Sequence, residues 1–99
     1  MKSLPLTPEI ESIAKRVVWF EPPSEAVSNL VRFLAYAMTY GNDADMRVIG
    51  KYLSDDDLRE AIEQAPAGIF DPRSWAYWNL KLGRYPTPPE PERTIPAAP

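Results

Sequence analysis

The side chains with the most chemical potential fall in two clusters. Asp55, Asp56, Asp57, Glu60 and Glu63 place five carboxylates in residues 54–66 against one base, Arg59, for a local charge of -4. Trp75-Ala76-Tyr77-Trp78 is the densest apolar stretch, and Arg73, Lys81 and Arg84 flank it. Residues 67–85 carry a local charge of +2. Carboxylate pairs can hydrolyse glycosides when they flank a sugar cleft, but a chain of short helices leaves little room for one. Three adjacent aspartates on a helix point in different directions, and the loop pattern of a calcium site is missing. The chain has no Cys and no His, which removes thiol nucleophiles, disulfides, zinc sites of the Cys/His type and imidazole bases. No glycine-rich phosphate loop or nucleophile elbow is present. The expectation is a non-enzymatic protein with no catalytic residue, metal site or cofactor.

Binding chemistry fits the same clusters better. An acidic helix suits a basic partner, because opposite potentials speed encounter and suppress wrong partners. Asp56, Asp57, Glu60 and Glu63 are the candidates there. The competing reading is a solvated face, with acids placed favourably at a helix start and Arg59 pairing with Asp55 and Glu63 at four-residue spacing. Large aromatics with basic flanks have the composition of binding hot spots. Trp75 and Trp78 are expected in the core near Trp19 and Phe20. Tyr77 falls off that face, and with Lys81 and Arg84 it forms the second candidate surface. Pro86-x-x-Pro89 and Pro88-x-x-Pro91 have the spacing of polyproline ligands, which a loose proline-rich tail also gives by chance.

Helices must position these groups. Thr7-Pro8-Glu9 reads as a cap, a first-turn Pro and an acid, followed by Ile10, Ile13, Ala14 and Val17 on one face. Pro22-Pro23 stops this first helix. A second spans about residues 24–40, with Val27, Leu30, Val31, Leu34, Ala37 and Met38 inward and Gly41 as terminator. Asn29 could instead cap a separate helix. The third runs from Asn42 or Asp43 to near Leu53, with Val48, Ile49 and Tyr52 inward. Gly50 inside it marks either a close helix contact or a break. Ser54 caps the fourth, whose inner face is Leu58, Ala61, Ile62 and Ala65. Asp71-Pro72 opens the fifth, with Trp75, Trp78, Asn79 and Leu82 on one face and Gly83 at its end. No segment alternates with period two. The fold class is therefore all-α: a compact bundle of about five short helices, with residues 1–6 flexible, 7–85 one domain and 86–99 a disordered or extended proline-rich tail. That tail holds six prolines and one large apolar residue, Ile95, which cannot sustain a helix or a core.

Val18-Trp19-Phe20, Val31-Arg32-Phe33-Leu34-Ala35-Tyr36 leading to Tyr40-Gly41, Tyr52-Leu53, Leu58-Arg59-Glu60-Ala61 and Arg73-Ser74-Trp75-Ala76-Tyr77-Trp78 form a further pattern. Over roughly residues 15–85 it resembles a family of short bacterial proteins often encoded beside nucleotidyltransferase-like toxins of the abortive-infection AbiEii kind. The Pro22-Pro23 entry and the long proline tail depart from that family's usual look. The resemblance implies an antitoxin-like role, binding the toxin and blocking it, and assigns no contact residues. Two other functions compete. One is a DNA-binding regulator using the third and fourth helices as a helix-turn-helix. Its reading helix would start with Asp55-Asp56-Asp57, which phosphates repel, and the net charge of -3 also disfavours nucleic acid. The other is a self-associating module, a homodimer through the aromatic helix. Residues 1–12 hold no apolar run like that of a signal peptide. The longest apolar stretch, residues 30–38, is interrupted by Arg32 and is too short for a membrane helix. The absence of Cys favours a reducing compartment, so a cytoplasmic location is expected.

Overall fold

The computed structural model describes residues 3–91. Among them are six helices and no strand: α1 (Pro8–Val17), α2 (Pro23–Ser28), α3 (Leu30–Tyr40), α4 (Asp43–Ile49), α5 (Asp55–Glu63) and α6 (Pro72–Lys81). Five of them begin at a side-chain cap. Thr7 accepts from the Ile10 N–H at 3.2 Å, Asn29 from Arg32 at 3.3 Å and Asp71 from Ser74 at 2.6 Å. Asn42 and Ser54 form reciprocal capping boxes with Asp45 and Asp57. Each such cap stabilises by about 1 kcal/mol, because a helix start leaves N–H groups without partners. Asp71 shows the electrostatic side of this. The bonds that it accepts from the Ser74 backbone N–H and hydroxyl hold its carboxyl below the usual range.

Helix α3 organises the bundle, touching each of the other five helices. Phe33, Leu34, Ala35, Ala37 and Met38 are all buried, more than one stripe of its surface. Against them pack Ile10, Ile13, Ala14 and Val17 of α1, Ile49 of α4, Leu58, Ala61 and Ile62 of α5, and Trp75 and Trp78 of α6. The apolar faces expected for the first, fourth and fifth helices are those buried in α1, α5 and α6. Phe33 and Ala35 lie outside the expected stripe, and they are buried because α3 is covered from several sides.

Residues 24–40 form two helices. Asn29, with φ -100° and ψ 85°, breaks the chain and caps α3. Gly50 is a terminator, not a packing contact. Its N–H closes α4 on Met46, and the helix ends at Ile49 instead of near Leu53. Leu4 is buried in the core, so this residue of the segment expected to be flexible packs with the fold. At the other end Gly83, at φ +77°, reverses the chain after α6. Asn79, fully buried, donates to the Trp75 carbonyl and accepts from Arg84, both at 2.8 Å. The expected tail is described only as far as Pro91. Its described part, residues 86–91, holds no helix or strand and meets α6 where the Trp75 indole N–H donates to the Pro88 carbonyl at 2.8 Å. Residues 92–99 lie outside the described part.

Two polar links join helices across the core. The Trp78 indole donates to the Met38 carbonyl at 2.7 Å, serving one of the last carbonyls of α3. Arg16 of α1 grips the Asp45 carboxylate through both terminal nitrogens, at 2.9 and 2.5 Å. Asp45 is 4% exposed, and it also accepts the Asn42 N–H at 3.1 Å. The Arg16 hydrogen bonds hold its carboxyl below the ordinary range. Burial opposes this, and the Asn42 N–H adds to it.

A carboxyl whose pKa is depressed by folding stabilises the fold above its unfolded value, about 3.9. That stabilisation is lost as the pH falls through the lower folded value. Acid unfolding followed by circular dichroism should therefore show Asp45→Asn to be less stable than the parent at pH 7, with the difference shrinking below about pH 4. Arg16→Ala should cost about 1–2 kcal/mol in urea at pH 7, since it leaves a buried carboxylate without its cation.

Candidate protein-binding surfaces

The acids of α5 divide by role. Asp57 is half-buried, and its carboxylate takes the Ser54 N–H at 2.9 Å. It builds the helix start and does not belong to an open contact face. Asp56 pairs with Arg59 at three-residue spacing. The Arg59 Nε also donates to the Leu82 carbonyl at 2.8 Å, joining α5 to the end of α6. The expected Arg59 pairs with Asp55 and Glu63 do not form, because the guanidinium is drawn to that carbonyl. Glu60 is half-buried and accepts from Gln64 at 3.3 Å. Asp55 and Glu63 are exposed. The helix thus presents Asp55, Glu60 and Glu63 with its one cation engaged elsewhere.

Tyr77 is exposed, as its position off the Trp75 face implied. Lys81 lies one turn on, with its Nζ 3.3 Å from the Tyr77 hydroxyl and above the Tyr77 and Trp78 rings. The two residues border a cleft of about 560 Å3 between α4, α5 and α6, with Asp43, Arg47 and Asp55 on its other walls. Structure therefore brings Tyr77 and Lys81 together with the start of the acidic helix. Arg84 is not part of this cleft lining. It is half-buried and bonded to Asn79, so it positions the chain after α6. Leu80 is also exposed on α6, which widens the apolar surface there.

A third surface lies where residue type alone implies core. Trp19 and Phe20 are not core neighbours of Trp75 and Trp78: Trp19 is 78% exposed and Phe20 49%. Helix α1 ends at Val17, the Val18 N–H closes its last turn on Ala14, and the next two residues turn outwards. An ion pair between Glu21 and Arg32 ties this turn to α3. Arg32, Tyr36 and Tyr40 follow at four-residue spacing on one line of α3, so the turn meets aromatic rings. Trp19 meets Phe20 edge-on at 5.6 Å, Phe20 meets Tyr36 edge-on at 5.7 Å, and Tyr36 stacks on Tyr40 at 6.1 Å. With Arg16 and Val17 these rings line a cleft of about 260 Å3. The spacing of Tyr36 and Tyr40, off the Leu34, Ala37 and Met38 stripe, was the available signal.

Among the described residues no group of three or more His, Cys, Asp or Glu side chains is placed to hold a metal ion. Among them, too, no helix is long and apolar enough to cross a membrane. Exposure separates the tryptophans sharply. Trp19→Ala should change unfolding free energy by less than about 0.5 kcal/mol. Trp78→Phe should cost about 1–3 kcal/mol by leaving the Met38 carbonyl unpaired. Urea unfolding of the two variants checks this, and equal losses would contradict the assignment of Trp19 to the surface. No family model, curated protein or solved structure matches the chain.

Proposed function

We propose that this protein is a non-catalytic, antitoxin-like binding module that blocks a basic, nucleotidyltransferase-type toxin by covering its nucleic-acid-binding ground. The observation that carries the reading is the face of α5. Asp55, Glu60 and Glu63 are presented while Arg59 is held by Asp56 and the Leu82 carbonyl. A site built to hold phosphates is basic, and such a face competes for it. Tyr77 and Lys81, across the cleft from Asp55, add the aromatic contact that protein interfaces favour. The non-catalytic half is supported by the buried polar side chains. Asp45 and Asn79 are both engaged in bonds that hold helices and turns together.

The two competing functions draw less support. Helices α4 and α5 succeed one another across a short turn, as in a helix-turn-helix, but Asp55 and Asp56 stand exposed where the reading helix would meet DNA. A homodimer through α6 would have to form without Trp75 and Trp78, which are buried.

Co-expression with the product of the adjacent gene, followed by size-exclusion chromatography, tests the reading. The two proteins should co-elute. Glu60→Lys with Glu63→Lys should weaken the complex at least about 10-fold, and added salt should weaken the parent complex, as expected for opposed charges. Absence of co-elution at low salt, or tight binding of DNA by the isolated chain, would overturn it.

A further inference from the structure

We propose that Trp75 and Phe70 form a recognition site for proline-rich segments, which residues 86–91 occupy as a strap and a proline-rich segment of a partner displaces. The two buried indoles of α6 differ in what serves them. Trp78 donates to the Met38 carbonyl, inside α3. Trp75 donates at 2.8 Å to the Pro88 carbonyl, in a segment with no helix or strand. Phe70 stands edge-on to the Trp75 ring at 5.4 Å. Both rings are 5% exposed with the segment in place. A buried indole N–H needs an acceptor, and here the acceptor belongs to a part of the chain that can be exchanged without moving a helix.

The chemistry of the strap is that of a ligand. Pro86-Thr87-Pro88-Pro89-Glu90-Pro91 has four prolines in six residues, so Thr87 and Glu90 alone carry a backbone N–H. Such a segment offers carbonyls and apolar rings and has little hydrogen bonding of its own. An indole matches it with a flat apolar face and one donor, as in the aromatic-lined grooves that bind proline-rich peptides. Pro88 and Pro91 are half-buried while Pro86 and Pro89 are exposed, so part of the proline surface is turned inwards.

The strap is also built to release. Arg84 anchors its start, with its N–H on the Asn79 carbonyl and its guanidinium on the Asn79 side chain, both at 2.8 Å. Among the described residues, the Trp75 bond is the only hydrogen bond made by residues 85–91. A contact of that size opens without unfolding the core. The tether holds the strap at a high local concentration, so a partner's segment binds at full strength only when the strap is off. Recognition rests on a carbonyl and proline rings, and a second segment of the same composition supplies both.

Nuclear magnetic resonance of the indole N–H groups in the full chain tests the proposal, since the three tryptophans sit in three different settings. Pro88→Gly with Pro89→Gly should move the Trp75 signal towards that of exposed Trp19, while the Trp78 signal and circular dichroism stay unchanged. A synthetic peptide of residues 84–91 should return the Trp75 signal of this variant towards its parent position. It should bind the variant at least about 10-fold more tightly than the parent, whose site is already filled. Trp75→Phe added to the variant keeps a ring, removes the donor and should weaken the peptide at least about 10-fold. An unmoved Trp75 signal in the glycine variant overturns the proposal. So does equal binding to parent and variant, or no binding at millimolar peptide. A peptide that shifts Trp19 and leaves Trp75 alone would place recognition on the surface rings and overturn it. Loss of the Trp78 signal in the glycine variant would make the strap part of the core and overturn it as well.

Discussion

Burial of α3 is the constraint on which the rest of this structure depends. Seventy-nine residues between the first cap and the proline segment (positions 7–85) are few for a core. Placing one helix in the middle, in contact with all five others, lets a single eleven-residue element serve each of their apolar faces. The cost is that α3 can spare almost no polar positions. Its remaining outward line is Arg32, Tyr36 and Tyr40, and that line became the support of the aromatic cleft. The position of the cleft follows from the packing of the core.

A central helix with short neighbours also leaves many helix ends near the interior. Their carbonyl and N–H groups need partners there. Side chains supply them: Trp78 of α6 for the Met38 carbonyl, Arg59 of α5 for Leu82, and α4's own Asp45 for the start of its helix while it receives Arg16 of α1. These bonds set relative positions more than they add stability, since each contributes about 1 kcal/mol net. They also draw charged residues away from the surface. Arg59, Arg84 and Asp57 carry charges that count towards any reading of partners from sequence, and all three are engaged by other groups of the chain.

Local signals in the sequence were strong. The Thr7, Ser54 and Asp71 caps, the stops near Gly41 and Gly83, and the buried faces of α1, α5 and α6 follow from residue type and spacing, because each depends on neighbours within one helical turn. What escaped depends on tertiary position. Whether Asn29 breaks a helix is decided by how α2 and α3 pack on α1. Residue type places Trp19 and Phe20 inward, yet the chain turns them out, and the clamp that ties this turn down, between Glu21 and Arg32, spans eleven positions. The role of Arg59 escapes for the same reason: one of its acceptors is the Leu82 carbonyl, in another element.

The bond between Trp75 and Pro88 gives the molecule a preferred direction of mechanical failure. Among the described residues, a force transmitted along the chain from Pro91 meets that hydrogen bond first, then the Asn79–Arg84 link beneath Gly83. Both release without disturbing α3. Only afterwards does the load reach Trp78 and its hold on Met38, where α6 peels away and exposes the central helix. A threading machine that grips this end would therefore meet weak resistance followed by one cooperative collapse. The same pull from residue 3 would have to extract Leu4 from the core at once. The two ends of the described fold are unequal handles for its own unfolding.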